Sequence, residues 1–267
     1  MKNITKLIAI IPALIVSLLM SFFIIQKSYA DAHENKEEKV LIVLTSHTEL
    51  GNTGKKTGFW LPELTHPYYE FIEAGYTVDI ASTEGGMAPL DGKIFEEEED
   101  KYNQRFLDDA KLMAKVMRSI PIADINPVDY QAVLYSGGSG PMWDFPNNPD
   151  IDRVSRYIYE NEGIVSAVCH GTVALINVTL SDGSLLIKNK RITGFSNEEE
   201  AALGTTDVVP FLLQNKLNEL GAIYVEGKAW QENVVVEGRL ITGQNPASAK
   251  KVALNIIQQL EKFKANE

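Results

Sequence analysis

Short apolar runs alternate along this chain with segments in which apolar residues recur every three or four positions. A run such as IVSAV, at residues 164–168, is typical of a strand that is buried on both faces of a parallel sheet. The segments between the runs have the spacing of amphipathic helices. From residue 40 to residue 168 the order is β-α-β-α-β-α-β. This order predicts an α/β fold with a mostly parallel central sheet and right-handed crossovers.

The same patterns set the expected elements along the chain. Strands are predicted at residues 40–44, 76–81, 131–135, 164–168, 190–193, 222–225, 234–236 and 240–242. Helices are predicted at residues 64–72, 103–119, 151–161, 172–178, 197–203, 209–220 and 247–262. Pro67 has no N–H with which to bond the carbonyl of Glu63, so a kink or a helix start is expected at that point.

The first thirty residues have the composition of a secretory leader. Lys2 and Lys6 precede residues 7–25, which contain no charged residue, and a small-x-small site ends at Ala30. This order predicts a signal peptide over residues 1–30 and therefore export to the periplasm or the extracellular space. The apolar run is also long enough to cross a bilayer, so an uncleaved membrane anchor is the alternative.

The rest of the chain is expected to hold one domain. Residues 31–38 are polar, acidic and short of apolar side chains, which predicts a linker, and the domain is placed at residues 39–264. No internal repeat and no second domain boundary is visible in the pattern. The acidic run at residues 96–100 is predicted to be a solvated insertion.

Charge and cysteine content exclude some partners. The net charge is −11, and loss of residues 1–30, with three lysines and no acids, would make it −14. Such a chain repels nucleic acid and anionic membrane surfaces, so neither is expected as a partner. Cys169 is the single cysteine. An internal disulfide is thereby excluded, although an oxidising compartment would permit one.

The most informative stretch is IVSAVCHG at residues 164–171, where the apolar run leads directly into Cys169 and His170. A nucleophile at a strand-to-helix corner projects from the carboxyl edge of the sheet, where open α/β folds place their sites. The helix expected next points its positive end at the sulfur, which favours the thiolate and lowers the pKa of Cys169. The alternative is that Cys169 is a small core residue, as most lone cysteines are.

His170 and the loop SGGSG, at residues 136–140, are candidate partners of this sulfur. At a corner the imidazole can turn back toward the sulfur, although a lone histidine is often structural. The loop follows the neighbouring predicted strand, and its glycines leave backbone N–H groups uncovered. These groups could form an oxyanion hole, and a plain flexible turn is the alternative. The loop lacks the GxxxxGK[ST] and GxGxxG patterns of phosphate-binding loops.

Two glutamates are candidates for acid–base chemistry. Glu63 lies where the first predicted helix begins, above the first strand, and Glu200 closes the run GFSNEEE at residues 194–200. Glutamates are most often surface charges, and the spacing of these two alone does not single them out.

Four motifs taken together resemble one known family. They are AVCHG at residues 167–171, SGG at 136–138, TGFWLPEL at 57–64 with HPY at 66–68, and TGQNPAS at 242–248. The chain resembles the PfpI-like, class I glutamine amidotransferase-like superfamily. Within it, the chain is most similar to the branch of stress-response chaperones and glutathione-independent glyoxalases (glyoxalase III). The likeness runs in consistent order from about residue 40 to residue 262.

The resemblance implies a flavodoxin-like three-layer sandwich with Cys169 on a nucleophile elbow. It also implies that Glu63 hydrogen-bonds the sulfur, that His170 is the histidine after the nucleophile, and that Glu200 orients this histidine. Gly137 and Gly138 would then supply the oxyanion and substrate-binding loop.

Two departures from the family pattern stand out. Some members carry Gly-His-Gly where this chain has Ser139 between two glycines, so any role of that imidazole is lost. The run of three glutamates at residues 198–200 leaves the register of the orienting acid open by one or two positions.

The resemblance predicts a cofactor-independent, glyoxalase III-type enzyme of the D-lactate dehydratase class of lyases. It would convert methylglyoxal or a similar 2-oxoaldehyde to a 2-hydroxy acid through a cysteine hemithioacetal. A chaperone or oxidation-sensing stress protein is the alternative from another class, and a cysteine peptidase or amidase is a third. No metal is expected, because His33, His47 and His66 have no recognisable ligand spacing. The expected partners are a small carbonyl substrate, a second copy in a homodimer, and unfolded protein clients.

Overall fold

A seven-stranded sheet forms the centre of the structure, a computed structural model that describes residues 38–92 and 100–265. These residues all lie in one compact unit that begins at Glu38. The predicted leader, residues 31–37 of the predicted linker and residues 96–99 of the acidic run lie outside the described residues. Among the described residues, none of the helices has the length and apolar character needed to span a bilayer.

The strands are short, and eight of the eleven in the described residues follow predicted runs closely. The two-residue strands at residues 59–60, 90–91 and 120–121 were not predicted. In chain order the strands are β1 (Lys39–Leu44), β2 (Phe59–Trp60), β3 (Thr77–Ser82), β4 (Leu90–Asp91), β5 (Ile120–Pro121), β6 (Ala132–Tyr135), β7 (Ile164–Val168), β8 (Arg191–Ile192), β9 (Ile223–Tyr224), β10 (Val234–Glu237) and β11 (Leu240–Gly243). The sheet has the spatial order β10-β11-β7-β6-β1-β3-β5. Every neighbouring pair is parallel except β10 with β11. The predicted mostly parallel sheet is confirmed.

Helices pack against the sheet and bury the apolar side chains of its strands. In chain order they are α1 (Pro62–Glu73), α2 (Lys101–Asp108), α3 (Ala110–Met117), α4 (Pro141–Asp144), α5 (Pro149–Glu160), α6 (Asn197–Leu203), α7 (Leu213–Glu219) and α8 (Ala249–Lys264). Helices α1 and α8 pack together, α8 also contacts β7 and β11, and α5 contacts β6 and β7. All five residues of β7 are buried, which explains their uniformly small or apolar character.

Some predicted helices differ in extent from the observed ones. Residues 103–119, predicted as one helix, form α2 and α3, because the Asp109 carboxylate accepts the N–H groups of Lys111 and Leu112 and starts a new helix. Helix α1 begins at Pro62 and contains Pro67 in its interior, so Pro67 is not the helix start. The predicted helix at 209–220 is shortened to α7.

The segment after β7 is a 3₁₀ helix, Cys169–Leu175, so the helix predicted over residues 172–178 begins three residues earlier and ends at Leu175. The tighter coil keeps all seven residues buried against the edge of the sheet. Asp100, the last residue of the acidic run, is not simply solvated. Its carboxylate caps α2 by accepting the Tyr102 N–H, and it lies 2.6 Å from Nε2 of His66.

Candidate active site

Cys169 occupies a sharp corner at the carboxyl end of β7. Its φ is +58°, a left-handed conformation that is uncommon for a residue with a side chain, and it is 3% exposed. The corner brings the next residues against β6, since a Cβ on Gly171 would lie 2.3 Å from the Tyr135 carbonyl oxygen. The predicted nucleophile elbow is therefore present in the backbone geometry, and glycine is required at position 171 for this close approach.

His170 turns back toward the sulfur, as predicted for a residue at this corner. Its Nδ1 lies 3.7 Å from Sγ of Cys169, and its Nε2 lies 2.8 Å from Oε2 of Glu200. The side chains of His170 and Glu200 are each 2% exposed. Burial raises the pKa of Glu200, but hydrogen bonds from His170 and Thr205 and the electrostatic attraction to the His170 ring outweigh it, so this pKa is lowered. The histidine is thus held between a thiol and a carboxylate.

Glu63 approaches the sulfur from the first turn of α1 and is fully buried. Its Oε2 accepts the Gly137 N–H at 2.7 Å, and its carboxylate hydrogen-bonds the Cys169 thiol. A Cβ on Gly137 would lie 2.6 Å from Oε2 of Glu63 and 2.9 Å from Cβ of Cys169. Because its N–H serves Glu63, the oxyanion role predicted for Gly137 is corrected to one of fixing this carboxylate.

The sulfur is not poised as a free thiolate. Burial raises the pKa of Cys169 well above its ordinary value, and the negative charge of Glu63 raises it further. Backbone N–H groups of His170 and Gly138 lower this pKa, but they do not offset the first two effects. The predicted net lowering of the Cys169 pKa is therefore wrong for the resting site, although the His170 N–H at the start of the following 3₁₀ helix acts in the predicted direction. Glu63 and Cys169 instead form a hydrogen-bonded pair that can share one proton.

The glycine loop after β6 passes directly over the corner. Gly138 has a φ of +94°, and a Cβ there would lie 2.4 Å from the Gly58 carbonyl oxygen. Beyond it, the Ser139 N–H donates to Oδ2 of Asp91 at 2.8 Å and the Gly140 N–H donates to the Gly58 carbonyl at 3.2 Å. These contacts leave the Gly138 N–H facing the sulfur, where it can hold an oxyanion together with the His170 N–H.

A pocket of about 290 Å³ opens above the sulfur. Its floor carries the polar groups of Cys169, His170 and Glu63. Its remaining lining is mainly apolar and includes Leu50, Trp60, Phe195, Leu203, Trp230 and Pro246. The Phe195 ring packs on the His170 ring with centroids 4.1 Å apart. The arrangement is a buried reactive floor beneath a largely apolar, aromatic wall, which suits a small organic ligand.

Comparison with known sequences agrees with this geometry. The profile of the DJ-1/PfpI family matches residues 56–259, more than half of the chain. The chain belongs to the DJ-1/PfpI family. Glyoxalase 3 of Candida albicans is 34% identical over 238 residues, which cover 84% of this chain and 98% of that protein. The glutathione-independent glyoxalase HSP31 of Saccharomyces cerevisiae is 31% identical over 236 residues, with the same two coverages.

Solved structures share the whole architecture. The X-ray structure of Rapid Encystment Protein 24 KDa from Francisella tularensis matches with a TM-score of 0.80 and 45% identity, over 84% of this chain and 99% of that one. The crystal structure of glyoxalase III from Candida albicans matches with a TM-score of 0.78 and 32% identity, over 84% and 98%. The DJ-1/PfpI resemblance and the flavodoxin-like three-layer sandwich are thereby confirmed.

Within this DJ-1/PfpI site, the structure fixes the register of the acidic run. Glu198 is exposed, Glu199 is buried but turned away from the histidine, and Glu200 contacts His170. Glu199 forms a capping box with Ser196 at the start of α6. Glu199 was not predicted from the sequence, although Ser and Glu three positions apart at the start of a helix are the pattern of this motif.

Asp91 is a half-buried carboxylate beside the site that was not predicted from the sequence. One oxygen, Oδ2, accepts both the Ser139 N–H and the Thr57 hydroxyl, the latter at 2.9 Å. It therefore fixes the glycine loop at Ser139. No local signal in the two-residue strand β4 marks this role. In residues 38–92 and 100–265, no group of three or more His, Cys, Asp or Glu residues has the geometry of a metal site.

Proposed function

We propose that this protein is a glutathione-independent glyoxalase that converts methylglyoxal or a similar 2-oxoaldehyde to a 2-hydroxy acid. The observation that carries the proposal is that two separate acid–base groups, Glu63 and His170, reach one buried sulfur. The conversion needs both, because one proton leaves the thiol and another moves between adjacent carbons of the substrate. The names of the relatives in Candida albicans and Saccharomyces cerevisiae support the same activity.

In the first step the sulfur of Cys169 attacks the aldehyde carbon and forms a hemithioacetal. The thiol proton passes to the Glu63 carboxylate, which is already hydrogen-bonded to the thiol. The former carbonyl oxygen is held by the N–H groups of Gly138 and His170. This transfer is compatible with the raised pKa of Cys169, because the thiol is deprotonated only as the carbon–sulfur bond forms.

In the second step His170 removes the proton from the carbon attached to sulfur and gives an enediol. Nδ1, 3.7 Å from Sγ, faces the region where this carbon would lie, and Glu200 stabilises the imidazolium that forms. Return of a proton to the neighbouring carbon gives the thioester of the 2-hydroxy acid. Water then hydrolyses the thioester and restores the thiol, so the net change is addition of one water to the 2-oxoaldehyde.

The charge of the pocket favours a neutral substrate. Glu63 and Asp91 are among the described residues that line it, and none of these lining residues is lysine or arginine. An anionic 2-oxo acid would enter without a countercharge, and the anionic product would be repelled once formed. An uncharged carbonyl compound is therefore the better match.

The proposal is tested by incubating the purified protein with methylglyoxal, glyoxal and a fluorogenic peptide, without glutathione. We expect lactate and glycolate to form and the peptide to stay intact, with Cys169→Ala as the negative control. Peptide cleavage without lactate would instead support the cysteine peptidase alternative. Lactate yields equal in the two proteins would refute the proposal.

Glu200→Gln should reduce kcat by about 10- to 100-fold with little change in KM, because Glu200 acts through His170. The amide still accepts a hydrogen bond but carries no charge to stabilise the imidazolium. The exposed neighbour on α6 provides a matched control, Glu198→Gln, which should keep full activity. Steady-state kinetics with methylglyoxal check both, and a change confined to KM in Glu200→Gln would contradict the positioning role.

Export of the protein is part of the proposal. It is supported by the basic, apolar and small-residue regions of residues 1–30. Cell fractionation followed by N-terminal sequencing should find mature protein that begins at Asp31, outside the cytoplasm. A chain that keeps residue 1 and sediments with membranes would favour the anchor alternative.

Association of two copies and binding of unfolded clients stay predictions. Light scattering of the purified protein gives the mass that tests the first. Suppression of aggregation of a heat-denatured client tests the second, and suppression that persists in Cys169→Ala would separate client binding from the thiol chemistry.

A further inference from the structure

Trp230 stands in a backbone conformation that an aromatic residue rarely adopts. It is the third residue of a turn in which the Gln231 N–H donates to the Lys228 carbonyl at 3.2 Å, and its φ is +61°. Positive φ at this position is a feature of type II turns, which normally place glycine there. Strained residues of this kind persist only when their surroundings impose them, and they cluster at functional sites.

The turn at Trp230 is hydrogen-bonded to α6, the helix that also carries Glu200. The Trp230 N–H donates to Oε1 of Glu199 at 2.8 Å, and the same oxygen accepts from the Asn245 side-chain amide at 2.8 Å. The other oxygen of Glu199 accepts from the Ser196 hydroxyl at 2.9 Å. Two adjacent acids of α6 thus have different partners. Glu199 accepts a hydrogen bond from the Trp230 backbone, and Glu200 contacts the His170 ring.

Core packing does not explain why tryptophan is fixed at this position. Trp230 is 45% exposed, although its side chain is one of the largest apolar ones, and it lines the pocket, as does Leu203, which is 50% exposed. Its ring meets Phe195 edge-on with centroids 5.6 Å apart, and Phe195 in turn packs on His170. The exposed aromatic surface is therefore continuous with the reacting groups.

The pocket is also larger than methylglyoxal requires. Its volume of about 290 Å³ lies near the lower end of the range for pockets that enclose drug-sized ligands, roughly 300–1,000 Å³. Methylglyoxal has five non-hydrogen atoms. A methyl group on the keto carbon would leave most of the apolar wall uncovered, whereas an aryl group could lie against it.

We propose that Trp230 is a specificity-determining residue and that the preferred substrates are 2-oxoaldehydes with an aromatic or large apolar group on the keto carbon. The inference rests on the proposed function, and the chemistry is unchanged. Phenylglyoxal, as the probe of this class, would add one water to give mandelate through the same hemithioacetal, enediol and thioester. The indole acts by binding the substituent and takes no part in the proton transfers.

The experiment compares kcat/KM for phenylglyoxal and methylglyoxal in wild type and in Trp230→Gly. Glycine suits the positive φ, so the turn should keep its conformation and the variant should stay folded, which its melting curve checks. Glu162→Gly is the matched control, because Glu162 has a φ of +65° but is exposed and is not among the residues that line the pocket. It relieves the same kind of strain without changing the site.

Wild type should prefer phenylglyoxal by about tenfold or more in kcat/KM, the scale of discrimination that an apolar contact provides. Trp230→Gly should lose about that factor for phenylglyoxal, mainly through KM, while methylglyoxal changes by less than about twofold. Glu162→Gly should match wild type with both. Equal loss on both substrates, or an unchanged preference, would overturn the inference while leaving the glyoxalase assignment intact. Absence of Cys169-dependent turnover of either substrate would overturn both.

Discussion

Replacing Cys169 with alanine should abolish lactate formation from methylglyoxal, with a loss in kcat/KM of about 10⁴-fold or more. Every intermediate of the proposed reaction is bonded to this sulfur, so the remaining groups have no covalent adduct on which to act. Cys169→Ser is the informative companion, because its hydroxyl is closest in size but is a poor nucleophile beside a carboxylate. Both variants should be inactive. Their residual activity is measured by separating lactate from methylglyoxal and quantifying it.

Both variants should keep the wild-type fold, so a loss of activity can be assigned to the missing thiol and not to unfolding. The Cys169 side chain is small, and its backbone strain at φ +58° is the same for alanine and serine. Melting temperature and circular dichroism should therefore stay close to wild type. A folded Cys169→Ala protein that still converts methylglyoxal at a tenth of the wild-type rate would rule out covalent catalysis by this sulfur.

The corner at Cys169 could be predicted because its signals are local. The buried run of β7 identifies the strand, and Gly171 marks the close approach that follows. Hydrophobic period and a single glycine are enough to place a residue at a strand end, and hence at the carboxyl edge of the sheet.

The carboxylates could not be selected in this way. Glu63 lies 106 positions before Cys169, and only the packing of α1 above the sheet brings the two together. Spacing cannot distinguish it from the surface glutamates, and the family resemblance supplied the choice. The same limit applies to Asp91, whose role depends on a loop 48 residues away.

The ionisation of the thiol was predicted wrongly for a related reason. A helix start is a local feature and suggests a lowered pKa, but burial and the charge of Glu63 are tertiary features and act in the opposite direction. The strained turn at Trp230 is a tertiary effect as well. The residues of this turn do not predict a positive φ, because glycine and not tryptophan is the usual residue at that position.

Glu63→Gln should make the thiol more acidic and the enzyme slower. The negative charge of Glu63 is the second cause of the raised pKa of Cys169, so removing it lowers that pKa, although burial still keeps it above the ordinary value. On acidity alone a larger thiolate fraction would increase the rate. The proposed mechanism requires the opposite, because glutamine cannot accept the thiol proton, and we expect kcat/KM to fall by about 10²- to 10⁴-fold.

Two measurements on the same protein separate these effects. The rate of alkylation by iodoacetamide as a function of pH should show its midpoint at lower pH in Glu63→Gln than in wild type, since thiolate forms more readily. Lactate formation measures the loss of turnover. Glu70→Gln is the matched control on α1, because Glu70 contacts Tyr102 and Lys250 and is not among the residues that line the pocket. It should leave both readings unchanged.

The two results must move in opposite directions for the shared-proton account to hold. If Glu63→Gln lowers the midpoint of alkylation and turns over faster, Glu63 only suppresses the nucleophile and the proton goes elsewhere. If turnover falls while the midpoint stays where it is in wild type, Glu63 is not electrostatically coupled to Cys169. A more acidic thiol in a slower enzyme is the outcome that follows when one carboxylate both holds the sulfur neutral at rest and takes its proton during attack.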